Sequence, residues 1–187
     1  MSGIWTGAGD SGETSLGDGT RVRKDDPRVE ALGTLDEAAA AIGLARVGLE
    51  DATLDLLLAF AQQRLLSLAA TVASPGRSRV ASPSAEDAEA LERATDDLMH
   101  AAGGEPGFTL PGGNELGARL HVARTVVRRA ERRLEALDGA ERLDPGALRF
   151  VNRLSDALYA AARFANARTG AEESWDDGFP APPLDQR

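Results

Sequence analysis

His121, Arg124, Arg128, Glu131 and Glu135 recur at helical spacing within one apolar-periodic stretch of the chain. Asn152, Asp156, Tyr159, Arg163 and Asn166 form a second polar row of the same kind further on. Each residue of an α-helix advances by about 100° around the axis, so both rows flank their helices' apolar stripes rather than oppose them. Two such rows facing one another would line a polar cleft. Guanidinium forks in that cleft suit bidentate recognition of phosphate. The plain alternative is a solvated face, with Glu131 and Glu135 as i,i+4 or i,i+3 partners of the arginines. Arg129, Arg132 and Arg133 belong to that face on this reading. Arg124 and Arg128 border the core and are matched by the second row, so they are assigned to the cleft.

Near the N-terminus, Gly7, Gly9 and Gly12 satisfy G-x-G-x-x-G formally. No strand of useful length precedes them, no helix opens behind them, and a βαβ pattern is missing, so a dinucleotide-binding reading fails. What survives is more general. Glycines let backbone N–H groups approach an anion, Thr6, Ser11 and Thr14 add hydroxyls, and Lys24 is the nearest cation. No Gly-Lys-Ser/Thr phosphate loop is present, which argues against a nucleotide kinase. Phe108 stands in a turn-rich stretch, where a lone aromatic is either a plug over the end of a bundle or a ligand contact. Asp36, beside Glu37, reads by itself as a surface acid.

Composition narrows the partners. The 187 residues carry a formal net charge of −9, which disfavours nucleic acid and anionic membrane as the main partner but says nothing about one cleft. Cysteine is absent, excluding disulfides, thiolate metal sites and cysteine nucleophiles. His100 and His121 are too few for a histidine-rich metal site. No long apolar run or leader-like start suggests a membrane span, so cytoplasmic residence is expected.

The elements that must position these residues are helices. Asp26 and Pro27 read as N-cap and first helical residue, followed by the series Leu32, Leu35, Ala39, Ile42 and Leu49, with Arg46 filling one step. Leu54, Leu58, Ala61, Leu65, Leu68 and Val72 predict a second helix. Ser84 and Asp87 form a capping-box-like pair before Ala88, Leu91, Thr95 and Leu98, and Gly103 and Gly104 close that third helix. Leu116, Leu120, Ala123, Val127, Ala130, Leu134 and Leu137 predict a fourth. Ala147, Val151, Leu154, Leu158, Ala161 and Ala165 predict a fifth. Period-2 alternation is nowhere sustained. An all-α, five-helix antiparallel bundle of one domain is expected, with residues 1–26 as a loop or arm, 27–170 as the bundle and 171–187 as a Pro-rich tail.

Four segments together resemble the PduO-type ATP:cob(I)alamin adenosyltransferases: Thr6 to Thr14; Lys24 to Val29 with Gly33 to Glu37; Leu110 to Gly113 with His121 to Arg132; and Asn152 to Asp156 with Ala162, Arg163 and a later Trp175. Their order and spacing span most of the chain. Two departures stand out: Ala38 to Ala41 where the family often has an Asn, and Ser11 where some relatives have Lys.

The resemblance implies a homotrimer with active sites between subunits. Thr6, Gly7, Gly9, Asp10, Ser11, Gly12, Thr14, Lys24, Arg128 and Asn152 would hold ATP, with Mg²⁺ on the phosphates and Glu131 near the nucleotide or its metal. Arg124 would pair with Asp36 of a neighbouring subunit, and Phe108 would lie under the corrin ring. The implied reaction moves the 5′-deoxyadenosyl group of ATP to cob(I)alamin and releases triphosphate, with Arg128, Lys24 and Phe108 nearest the chemistry. A flavoprotein reductase and a B12-dependent acceptor enzyme are the implied protein partners. A non-catalytic ATP or adenosylcobalamin carrier of the same fold is the alternative, and a bundle whose arginines merely join subunits is a second.

Overall fold

The computed structural model describes residues 7–104 and 107–179. Five α-helices follow a short antiparallel hairpin: α1 (Pro27–Arg46), α2 (Ala52–Ala73), α3 (Ala85–Ala101), α4 (Glu115–Glu141) and α5 (Pro145–Ala167). Each start is fixed by a short polar side chain that satisfies a free N–H of the first turn. Asp26 accepts from Arg28 N, Asp51 from Leu54 N, Asn114 from Gly117 N and Asp144 from Gly146 N. Ser84 and Asp87 complete a reciprocal capping box. Proline occupies the first turn of α1 and α5, where a missing N–H costs nothing.

The core is one cluster drawn from all five helices, built almost wholly from Ala, Leu and Val with Phe150 as its largest side chain. The row Leu54, Leu58, Ala61, Leu65, Leu68 and Val72 is buried in full, as its spacing predicts. In α1 Leu35, Ala39 and Ile42 are buried as their spacing predicts, joined by Ala31, Ala38 and Ala45, while Leu32 is only partly buried. The helix stops at Arg46, so Leu49 packs from beyond its end. Arg46 is not a core step either. It grips Asp55 (2.7 and 3.0 Å) and Gln62 (2.7 Å) on α2.

Helix α4 packs between α1 and α5, α3 packs on α5, and α2 on α1. Helices α1 and α4 run antiparallel: Arg133 meets Glu30 at 3.1 Å, Arg129 pairs with Glu37, and Arg119 donates to the Val47 carbonyl (3.0 Å). Arg129 and Arg133 therefore pair across to α1 rather than with Glu131 and Glu135 along their own helix. Exposed pairs of this sort contribute little stability; they set register.

One other expectation is corrected, and one needs a closer look. Within residues 1–26, β1 (Glu13–Ser15) pairs with β2 (Arg21–Arg23), Thr14 opposite Val22, in strands too short for alternation to show. Helix α2 is long and apolar enough, by length and composition alone, to cross a bilayer. Its apolar row nevertheless faces the core, and Gln62 and Arg64 on its other flanks bond Ala39 O and Asp87.

Candidate active site

Only the middle of each polar row faces a common cleft; Arg163 turns instead to Glu172 and Asn166 to the Gly112–Asn114 turn. Arg124 and Arg128 of α4 stand with Ser155, Asp156 and Tyr159 of α5 around a space of about 370 Å³. Its third wall is α3, through Thr95, Asp96, Met99 and His100. The sequence reading missed that wall, because α3's acidic and polar face carries no phosphate-binding signature. His121 does not line this space; it lies buried with its ring 6.2 Å from that of Tyr159.

This cleft is electrostatically unfinished. Arg124 Nε is buried without a hydrogen-bond partner. Burial, then the charge of Arg128, pulls the Arg124 pKa below its ordinary value. Among the described residues no carboxylate of this chain forms an ion pair with it. Asp36 is exposed on the outer side of α1 and likewise has no ion pair among the described residues. A half-buried guanidinium with an unpartnered Nε is favoured by an anion, from a ligand or another chain. Burial also lowers the pKa of His121, assisted by the Arg124 charge and opposed by Glu172, and His121 Nδ1 has no hydrogen-bond partner.

The glycine loop lies elsewhere. Gly7 and Gly12 adopt positive φ of 68° and 86°, the left-handed region that glycine enters without a Cβ penalty. Gly9 is held tight: a β-carbon there would meet Glu13 O at 3.3 Å and Lys24 Nζ at 3.4 Å. The glycine thus lets the loop backbone lie against the ammonium, and Lys24 N bonds Gly12 O (2.9 Å). Asp10 and Ser11 are exposed on the loop and Thr14 lies on β1; Thr6 lies outside the described residues.

The hairpin docks through Gly17 N to Ala73 O (3.0 Å). Arg28, buried at the start of α1, bonds Val72 O (2.5 Å) and pairs with Glu141. Lys24 therefore sits at the end of the bundle where α4 terminates. Arg128 is roughly 20 Å back along α4 at 1.5 Å per residue. One chain does not bring Lys24 and Arg128 together. Glu131, half-buried, and Asn152, exposed, fall between these two regions.

Phe108 is 82% exposed, so it plugs nothing. It forms an open apolar recess with Leu110, Pro111 and Trp175, its ring edge-on to Trp175 at 6.1 Å. Behind it, Asn166 accepts from Asn114 N and donates to Gly112 O, both at 3.0 Å. Gly113 and Gly117 leave the room that Asn166 fills.

Among the described residues no group of three His, Cys, Asp or Glu side chains could hold a metal ion. Mg²⁺ needs no such cage, since it commonly binds through one or two carboxylates plus substrate phosphates. Glu131, one turn from Arg128, fits that mode.

A five-helix bundle with this cleft, loop and aromatic recess is the fold that comparison with known proteins assigns to a family. Residues 4–165 match the cobalamin adenosyltransferase family model, and the chain belongs to that family. It is 46% identical over 165 residues to the corrinoid adenosyltransferase PduO of Salmonella typhimurium, covering 86% of this chain and 48% of that protein. The chain thus spans about half the length of that relative. A corrinoid adenosyltransferase of Bacillus subtilis is 40% identical over 173 residues, covering 89% of this chain and 88% of that one. Among solved structures, a phenylalanine-to-alanine variant of the PduO-type ATP:corrinoid adenosyltransferase from Lactobacillus reuteri, complexed with cobalamin and ATP, superposes with a TM-score of 0.87. It is 31% identical, covering 94% of this chain and all of that one. An arginine-to-lysine variant of the same enzyme, complexed with ATP, gives 0.84 at 32% identity, covering 93% of this chain and 100% of that one.

Proposed function

We propose that this chain is an ATP:cob(I)alamin adenosyltransferase that works as a homotrimer in the cytoplasm, with each active site shared by two subunits. The observation that carries the shared site is the separation of its halves. The loop with Lys24 and the cleft with Arg128 lie at different levels of one bundle, and Arg124 lacks an anionic partner among the described residues of its own chain. A neighbouring copy that presents its loop and Asp36 to this cleft supplies both deficits.

The reaction is a nucleophilic substitution. The Co(I) lone pair attacks the 5′-carbon of ATP, the cobalt–carbon bond forms, and the carbon–oxygen bond breaks. Its electron pair leaves on triphosphate while cobalt becomes formally Co(III). The nucleophile belongs to the corrinoid substrate, so the protein needs no general base. Its tasks are orientation of the 5′-carbon and stabilisation of charge growing on the leaving oxygen. Arg128, Lys24 and the N–H groups around Gly7, Gly9 and Gly12 serve the second task, with the side chains of Thr6, Asp10, Ser11, Thr14 and Asn152 ordering the nucleotide. Mg²⁺, held through phosphate oxygens and Glu131, would offset part of the triphosphate charge. Phe108, exposed and apolar, suits the lower face of the corrin, where it would exclude water and an axial ligand and ease reduction of Co(II).

Turnover separates this reading from a carrier of the same fold. Under anaerobic conditions with Mg-ATP and chemically reduced cobalamin, triphosphate and the light-sensitive cobalt–carbon bond are expected in equal amounts over many cycles. Binding of both substrates with neither product formed would establish the carrier. A flavoprotein reductase delivering the electron, and a B12-dependent enzyme taking the product, complete the proposed setting.

A further inference from the structure

The sequence after α5 predicts a Pro-rich tail, yet its first residues are docked. Leu110 N donates to Glu173 O and Trp175 N donates to Phe108 O, each at 2.8 Å, on either side of an antiparallel bridge between Thr109 and Ser174. Phe108 thus shares a two-stranded patch with Trp175 and meets its ring edge-on. Such a patch is too short to hold itself, because isolated pairs of strands are marginal in water. Something must fix it to the bundle.

That fixture is one side chain on α5. Arg163 has 3% of its side chain exposed. It donates through Nε to Glu172 Oε1 at 2.7 Å and through Nη2 to Glu172 Oε2 at 3.0 Å. Its Nη1 donates to the carbonyl of Gly104, at the end of α3. The bidentate fork defines both position and angle. It grips Glu172 immediately before the paired residues 173–175, and Gly104 on the chain side that leads to Phe108. A buried ion pair is weak grounds for stability but a good register device.

We infer that Arg163, Glu172 and Trp175 are positioning residues for the corrin half of the reaction. The Arg163–Glu172 clasp sets the 172–175 segment, the segment sets Trp175, and Trp175 holds the Phe108 ring at the angle it presents to the corrin's lower face. This rests on the reading of Phe108 as the corrin contact. Gly104 and Met99, which Arg163 touches, line the Arg124–Arg128 cleft, but Glu172 to Trp175 do not, so changes at Glu172 and Trp175 are expected to act on the corrinoid step rather than on ATP.

The test compares Glu172→Gln, Trp175→Ala and Trp175→Phe with the unaltered protein. Glu172→Gln keeps shape and removes charge; the Trp175 changes lie on an open surface and cannot empty the core. The readouts are thermal stabilisation by Mg-ATP, turnover from Co(II) with a chemical reductant, turnover from pre-reduced Co(I), and the spectrum of bound Co(II)balamin, which reports whether the lower ligand has left. Misplacing a reacting group by an ångström costs up to about a hundredfold. Glu172→Gln and Trp175→Ala are therefore expected to lose roughly tenfold or more from Co(II) and the spectral signature of the ligand-free form. They should lose less from Co(I) and nothing in ATP stabilisation, with Trp175→Phe largely restoring function. Unchanged Co(II) turnover and spectrum in both variants would overturn the inference while leaving the enzyme reading intact. An equal loss of ATP stabilisation would also overturn it, by showing a general structural role. An unaltered protein that binds ATP but never forms the cobalt–carbon bond would overturn the reading beneath it.

Discussion

Arg124 and Arg128 stand one turn apart on α4, and the charge of Arg128 adds to burial in lowering the pKa of Arg124. Two like charges on one cleft wall, one with a buried and unpartnered Nε, are unfavourable in an isolated chain. They become favourable once a carboxylate and a polyphosphate arrive.

Arg128→Ala should lower kcat by about 10²–10³, the usual effect of removing one preorganised donor from a developing anion. Arg128→Lys should recover only part, because an ammonium cannot make the bidentate contact. Steady-state kinetics with Mg-ATP checks both.

Asp36 and Arg124 should be coupled although they lie on different sides of one bundle. Asp36→Asn, Arg124→Gln and the double variant form a cycle whose interaction term is expected near 1–3 kcal/mol in trimer stability. Sedimentation across a concentration series measures it. Additive single effects would mean the two residues never meet.

His121 predicts a pH dependence of stability. Its folded pKa lies below the ordinary 6.5, chiefly through burial, so the unfolded chain binds the proton more readily. This contribution is intact above pH 6.5 and is lost as pH falls below 6.5 toward the folded value, with a slope of at most about 1.4 kcal/mol per pH unit. Denaturant titrations between pH 5 and 8 should show that slope, and His121→Gln should flatten it.

Asn166→Ala should cost about 1–3 kcal/mol, since it strands Asn114 N and Gly112 O in a half-buried turn. Urea unfolding reads the cost directly. Gly117→Ala should be at least as harmful, because its methyl would enter the space of the Asn166 amide.

Much of this was legible in the residues. The α2 row and the Asp26 and Ser84 caps needed only spacing and side-chain length. The cleft between the α4 and α5 rows followed from their shared offset beside the core stripes. The end of α1 did not, because Arg46 occupies a helical step while serving α2. The hairpin escaped because its strands are too short to alternate. The α3 wall and the Arg163–Glu172 clasp depend on tertiary contacts between segments far apart in sequence. Glu172 shows this most plainly: in the chain it is one acid of a Glu-Glu pair, and only the fold places it against a buried arginine.

On the proposed function, each active site combines the Lys24 loop of one chain with the Arg128 cleft of another. Lys24→Ala and Arg128→Ala, each nearly inactive alone, should be co-expressed in equal amounts and assayed for cobalt–carbon bond formation. Random assembly then leaves an intact loop beside an intact cleft at roughly a quarter of the sites in a cyclic oligomer, and activity should recover to about that level. Mixed oligomers no more active than either parent would contradict the shared site and with it this account of the enzyme.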